Sequence, residues 1–158
     1  MIKDAIRITR WCDPEVFVKD AMKLQIPEYY KPILQDVQDF KLINFLICGG
    51  RGSGKTSLLA GLALWHTIMV PLMTGKEVRV FIMGGSRAQA EKVYWWIRRA
   101  LDQEPLLASF LKDEPLKSRC ELIMGEIKIM SSSIKSARHE HPDVVMLDEA
   151  SFIPDDVF

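Results

Sequence analysis

The apolar residues of this chain fall into short runs whose period changes, and the changes mark out its elements. From Leu42 to Cys48 (LINFLIC) nearly every position is apolar, the pattern of a parallel strand buried on both faces. A glycine-rich turn follows, then a helical stretch from about Gly54 to Val70. Gly75 closes the next turn, and Val78 to Met83 (VRVFIM) reads as a second strand, ended by Gly84 and Gly85. Ser86 begins a helix with Gln89 three residues on, the spacing of a capping box. Along that helix Ala90, Val93, Tyr94 and Ile97 recur at helical spacing and supply its buried face. Glu121 to Met130 (ELIMGEIKIM) predicts a hairpin turned at Gly125, and Val144 to Leu147 (VVML) a further apolar strand. Before residue 40, Pro14, Pro27 and Pro32 limit any helix to short pieces. Strands alternating with helices predict an α/β fold with a mostly parallel central sheet flanked by helices.

Composition changes this picture little. Lys plus Arg and Asp plus Glu both number 21 in 158 residues, so the formal net charge is zero. That balance argues against a strongly basic nucleic-acid binder, although it leaves room for a local patch. Cys12, Cys48 and Cys120 lie far apart, which fits free thiols better than a disulfide framework or a zinc module. The N-terminus lacks the apolar stretch of a signal peptide. The run from Leu58 to Met73 is interrupted by His66 and Pro71 and predicts a core helix rather than a membrane span. The expected location is cytoplasmic.

The candidate chemistry begins at residues 49–56, GGRGSGKT, a full match to G-x-x-x-x-G-K-[ST] between a buried strand and a helix. A random chain of this length would show the pattern on the order of once in a hundred or fewer. Gly49, Gly50, Gly52 and Gly54 let the backbone take positive φ and approach a ligand closely. Their N–H groups converge on phosphate oxygens at the positive end of the helix dipole. Lys55 reaches the β and γ phosphates, and Thr56 offers its hydroxyl to Mg²⁺. The bland alternative is a glycine turn before a helix with a solvated lysine. It explains neither the spacing nor the preceding strand.

Residues 144–150 read VVMLDEA. A buried strand delivers Asp148 to its carboxyl end, the edge at which open α/β sheets bind ligands. Asp148 is the expected partner for Mg²⁺, which keeps part of its water shell. Glu149 is placed to polarise the attacking water as a general base. Without the phosphate loop, two acidic residues after a strand would read equally well as helix-start charges. Beside it they read as the second half of one site, and they favour turnover of ATP over binding alone.

With both motifs in view, residues from about Gln35 to Phe158 resemble the N-terminal ATPase region of the large terminase subunit of tailed bacteriophages. The resemblance rests on GGRGSGKTS, on MGGSRAQAEKVYWWIRRAL, on the glycine-centred hairpin and on PDVVMLDEASFIPDD. It implies a P-loop NTPase core over residues 41–158, preceded by a lead-in segment over residues 1–40 with adenine-side contacts. It also implies MgATP hydrolysis that drives double-stranded DNA into a capsid, with a portal protein and a small terminase subunit as partners and a homo-oligomeric ring as the working form. By position, Arg51 matches an arginine thought to act as a finger in cis, and Ser53 and Ser57 complete the loop. Ser86 and Gln89 match a segment that can face DNA, although the capping box explains them without it. Either Gln35 or Gln38 corresponds to the glutamine that reads adenine; Tyr29 and Tyr30 are aromatic alternatives better explained by core packing. Such ATPases continue to a coupling motif and a nuclease domain, whereas this sequence stops eight residues after Ala150. A C-terminally truncated core is therefore expected, with no nuclease assigned to it.

Two rival functions stay open at this stage: a helicase-like nucleic-acid-dependent ATPase, and a nucleotide-binding regulatory module without useful turnover. His139 and His141 around Glu140 are too few for a metal site and read as a polar loop. Trp95 and Trp96, being adjacent, point in different helical directions, so one is expected to be partly exposed. Arg87, Lys92, Arg98 and Arg99 read as a solvated helix face, and Arg138 as a candidate sensor of the γ phosphate or of a neighbouring subunit.

Overall fold

A computed structural model of the chain describes residues 2–39, 47–131 and 141–149. The prolines punctuate its N-terminal part as the sequence predicts. Helix α1 spans Ile2–Arg10, and α2 spans Pro14–Ala21 with Pro14 at its start and Asp13 as N-cap. The Asp13 carboxylate accepts from the N–H groups of Glu15 and Val16, donors that an uncapped helix would leave unpaired. A 3₁₀ turn, Glu28–Tyr30, leads into α3, Lys31–Gln38. Arg7 ties this region to the rest of the molecule, donating to both Asp20 and Glu104. Asp20 also accepts from the Trp11 indole, and these partners pull its carboxyl down to about 2.

Helix α4, Lys55–Thr74, is the centre of the core. Eleven of its residues are buried, among them Leu58, Leu62, Trp65 and Met69. It is long and apolar enough to cross a membrane by length and composition. Here that apolarity is spent on packing between α2, α5 and the sheet. The helix also outruns the predicted end at Val70 and passes through Pro71. A proline in the last turn forfeits one backbone bond, and Gly75, at φ 72, closes the end by donating to the Pro71 carbonyl.

His66 lies on this helix edge-on to Trp65, and burial pushes its pKa from 6.5 down to about 4. Its folded value is depressed, so the unfolded chain takes up the proton first. Stability is therefore full above pH ~6.5 and lost as the pH falls toward 4, by up to about 3 kcal/mol. His66→Leu is expected to flatten that limb. Urea unfolding at pH 7 and pH 5 checks it, and an unchanged pH dependence in the variant would count against the assignment.

The sheet contains β1 (Val78–Gly84), β2 (Arg119–Leu122), β3 (Gly125–Ser131) and β4 (Val144–Asp148), in the order β2-β3-β1-β4. Strands β3, β1 and β4 run parallel, and β2 pairs antiparallel with β3. The predicted hairpin is thus present, and its second strand joins the central sheet as a parallel neighbour of β1. Gly125 is needed for a different reason from the expected one. Its turn is Ile123–Met124, and a Cβ on Gly125 would come within 2.3 Å of the Val78 carbonyl oxygen. Close approach, rather than turn conformation, requires glycine there.

Strand β1 is buried on both faces except at Arg79. Val80 and Ile82 join the main core with α4 and α5, the helix spanning Arg87–Gln103. Phe81 and Met83 form a smaller cluster with Met130 and Leu147. A four-residue helix, α6 (Pro105–Ala108), follows α5. Of the strand predicted over Leu42–Cys48, all but Ile47 and Cys48 lie outside the described residues.

Candidate functional site

The glycine loop descends from Ile47 into the first turn of α4. Gly52 and Gly54 sit at φ 82 and 85, the left-handed region, as the sequence reading expected, whereas Gly49 and Gly50, expected to do the same, do not take positive φ. The Lys55 ammonium donates to the carbonyls of Gly49 and Gly50, at 2.5 and 3.0 Å, and lies 3.3 Å from Ser53 Oγ. A flexible ammonium folded over its own loop is placed to exchange those carbonyls for phosphate oxygens. Ser57 turns inward and donates to the Gly54 carbonyl. Arg51 is exposed on the loop.

Strand pairing brings in the acidic motif. Gly84 and Asp148 are register partners at the carboxyl ends of β1 and β4, the edge at which such sheets present their ligand sites. Across 92 residues of sequence, Thr56 Oγ1 donates to Asp148 Oδ2 at 3.2 Å. Asp148 is 7% exposed, and burial raises its pKa above the usual carboxylate range. The Thr56 hydrogen bond opposes the rise, the Glu149 charge adds to it, and Lys55 offsets it. A hydroxyl beside a buried carboxylate is a hard-oxygen donor set, the kind that suits Mg²⁺, so the residues present fit that ion. A cation there would favour the ionised form of Asp148 and oppose the effect of burial.

Glu149 is exposed and has φ 53. Glutamate seldom adopts left-handed backbone, and such outliers gather at functional sites. Its carboxylate accepts from the Gln89 side-chain amide. That contact was not legible in the sequence, where the capping box alone accounted for Gln89. The box is present as predicted, with Ser86 Oγ accepting from the Gln89 N–H and the Ser86 N–H donating to Gln89 Oε1.

The adenine-side expectation divides. Gln35 stands on α3, where its amide donates to Asp39 one turn on, and Gln38 is half-buried. Tyr30 is in the core, as expected. Tyr29 is 59% exposed, and its hydroxyl donates to the Ser53 carbonyl of the phosphate loop at 3.0 Å. Of the two tyrosines it is the one that touches the phosphate loop. Core packing, expected for both tyrosines, holds for Tyr30 alone.

Helix α5 lies beside α4's first turn, and a cavity of about 490 Å³ between them is lined by Thr56, Ala88, Glu91, Lys92, Trp95 and Trp96. Trp95 is 54% exposed while Trp96 packs partly against the core, the split that adjacency predicted. Arg87, Lys92 and Arg99 are exposed, as a solvated face predicts, and Arg98 is half-buried. Arg87 pairs with Glu91, Arg98 donates to the Pro115 carbonyl, and Arg99 lies over both tryptophan rings. Among the described residues no cluster of three His, Cys, Asp or Glu side chains forms a further metal site. Arg138, His139 and Glu140 lie outside the described residues.

A mostly parallel sheet that brings a glycine loop, a lysine, a threonine and a buried aspartate to one edge defines the P-loop class of nucleotide-binding proteins. The family is narrower than the class. The chain belongs to the family described as RNA cytidine acetyltransferase NAT10/TcmA, helicase domain, whose model matches residues 46–158, more than two thirds of its length. Nothing in that match points to a terminase, so the resemblance in the motif strings stands without its support. Among curated proteins nothing matches the chain.

Proposed function

We propose that this chain is an ATP-hydrolysing motor module that works on nucleic acid in the manner of a helicase domain. The observation that carries the reading is the hydrogen bond between Thr56 and Asp148 beside the phosphate loop, with Glu149 following at a left-handed backbone position. The loop N–H groups and Lys55 bind the phosphates. Thr56 and Asp148 would hold Mg²⁺, which when bound draws charge from the β and γ phosphates. Glu149 accepts the proton of the attacking water. Arg51, exposed on the loop, is proposed to approach the transferring phosphoryl group, and Tyr29 or Gln35 to meet the adenine side.

The family's name attaches its helicase domain to acetylation of cytidine in RNA, which makes RNA the first nucleic acid to test. The second reading, a DNA-packaging motor, is favoured by Arg51 and by the DEASFIPDD sequence. It alone brings in double-stranded DNA, a portal, a small terminase subunit and a ring in the host cytoplasm. MgATP turnover measured alone, with structured RNA and with duplex DNA separates the two. Stimulation by RNA of about tenfold or more is expected. Stimulation by duplex DNA alone would favour the packaging motor. Binding without turnover under all three conditions would leave a regulatory nucleotide-binding module and overturn the proposal.

A further inference from the structure

We propose that Gln89 is a positioning residue for Glu149, holding the catalytic carboxylate through the same amide that caps helix α5. The inference rests on Glu149 being the general base of the motor. Strand register sets the geometry. The ends of β1 and β4 lie side by side at Gly84 and Asp148, so the turn after β1 is next to the residue after β4. Gly84 lets α5 come close. A Cβ there would lie 2.9 Å from the Ala90 backbone nitrogen and 3.0 Å from the Gln89 Cβ, so a side chain would push the first turn of α5 away from the strand end.

The capping box then fixes the amide. The Ser86 N–H is a donor, so the oxygen of the Gln89 amide must face it, at 2.7 Å. The amide nitrogen is left pointing the other way, and it donates to Glu149 Oε2. An amide with its oxygen already engaged has no freedom to flip. One carboxylate oxygen of Glu149 is thereby anchored and the other left for the water it activates. Glu149 needs such an anchor. It is exposed, and it stands just past the end of β4 with a left-handed backbone. Positioning of a reacting group to within a fraction of an ångström is worth orders of magnitude in rate.

Capping and positioning come apart in one substitution. Gln89→Glu keeps the carboxyl-type acceptor that a capping box uses equally well, but it removes the donor and sets a like charge against Glu149. A purely structural Gln89 predicts an unchanged enzyme. Positioning predicts that the melting temperature stays at the wild-type value and MgATP affinity within about twofold of it, while kcat falls tenfold or more. Gln89→Ala, which loses both functions, is expected to lower kcat and the melting temperature together. The variants are assayed in the full-length protein with MgATP, beside wild type and Glu149→Gln. Wild-type or raised kcat in Gln89→Glu, with Glu149→Gln inactive, would overturn the positioning role and leave the motor reading intact. Undiminished turnover in Glu149→Gln would remove the base itself, and the proposal with it.

Discussion

Lys55→Ala is expected to abolish measurable MgATP binding while leaving the fold in place. The ammonium is the one mobile cation at the mouth of the loop among the described residues that already touches the loop carbonyls, at Gly49 and Gly50. Hydrogen bonds to charged groups contribute roughly 1.5–3 kcal/mol each. Losing those to two phosphates lowers affinity by on the order of a hundredfold to ten-thousandfold. The fold should survive because Lys55 is only partly buried, and the helix it starts is anchored by Leu58, Leu62 and Trp65 rather than by its first residue. Calorimetric titration with MgATP, alongside a thermal melt, is the check. Affinity within about threefold of wild type would sink the phosphate-loop assignment.

The second large effect is on turnover. Glu149→Gln is expected to bind MgATP as wild type does and to hydrolyse it at least a hundredfold more slowly, the usual scale for loss of a general base. The amide keeps the length and shape of the carboxylate but takes no proton at neutral pH. Its backbone at φ 53 tolerates glutamine no worse than glutamate. Single-turnover phosphate release measures the chemical step apart from binding. A rate equal to wild type would assign the base elsewhere.

Much of this site was legible from residue order because it is built from local rules. The phosphate loop is contiguous, and of the four glycines expected to take left-handed angles Gly52 and Gly54 do so. The capping box lies within four residues, and the strand before Asp148 announces itself by four apolar positions in a row. What the sequence did not disclose depends on register and on long-range packing. That β3 would lie parallel to β1 is a matter of long-range pairing, and no local pattern encodes it. Nor does anything local connect Gln89 to Glu149, 60 residues apart, or Tyr29 to Ser53. Pro71 misled in the other direction, since a helix breaker in the last turn removes one hydrogen bond and leaves the rest of the helix, held by its buried face, intact. Family membership was hidden for a related reason. The motif strings describe chemistry shared by many motors, while the family match draws on residues throughout 46–158.

Helix α5 has a mechanical aspect as well. Its first turn grips Glu149 through Gln89. At its other end Glu104, the residue that follows it, is clamped by Arg7 and faces Lys23. Seventeen residues at 1.5 Å each make a strut about 25 Å long, pinned at both ends and packed along one side. A load applied to the N-terminal helices therefore has a stiff path to the Glu149 carboxylate, and it does not dissipate in a loop on the way.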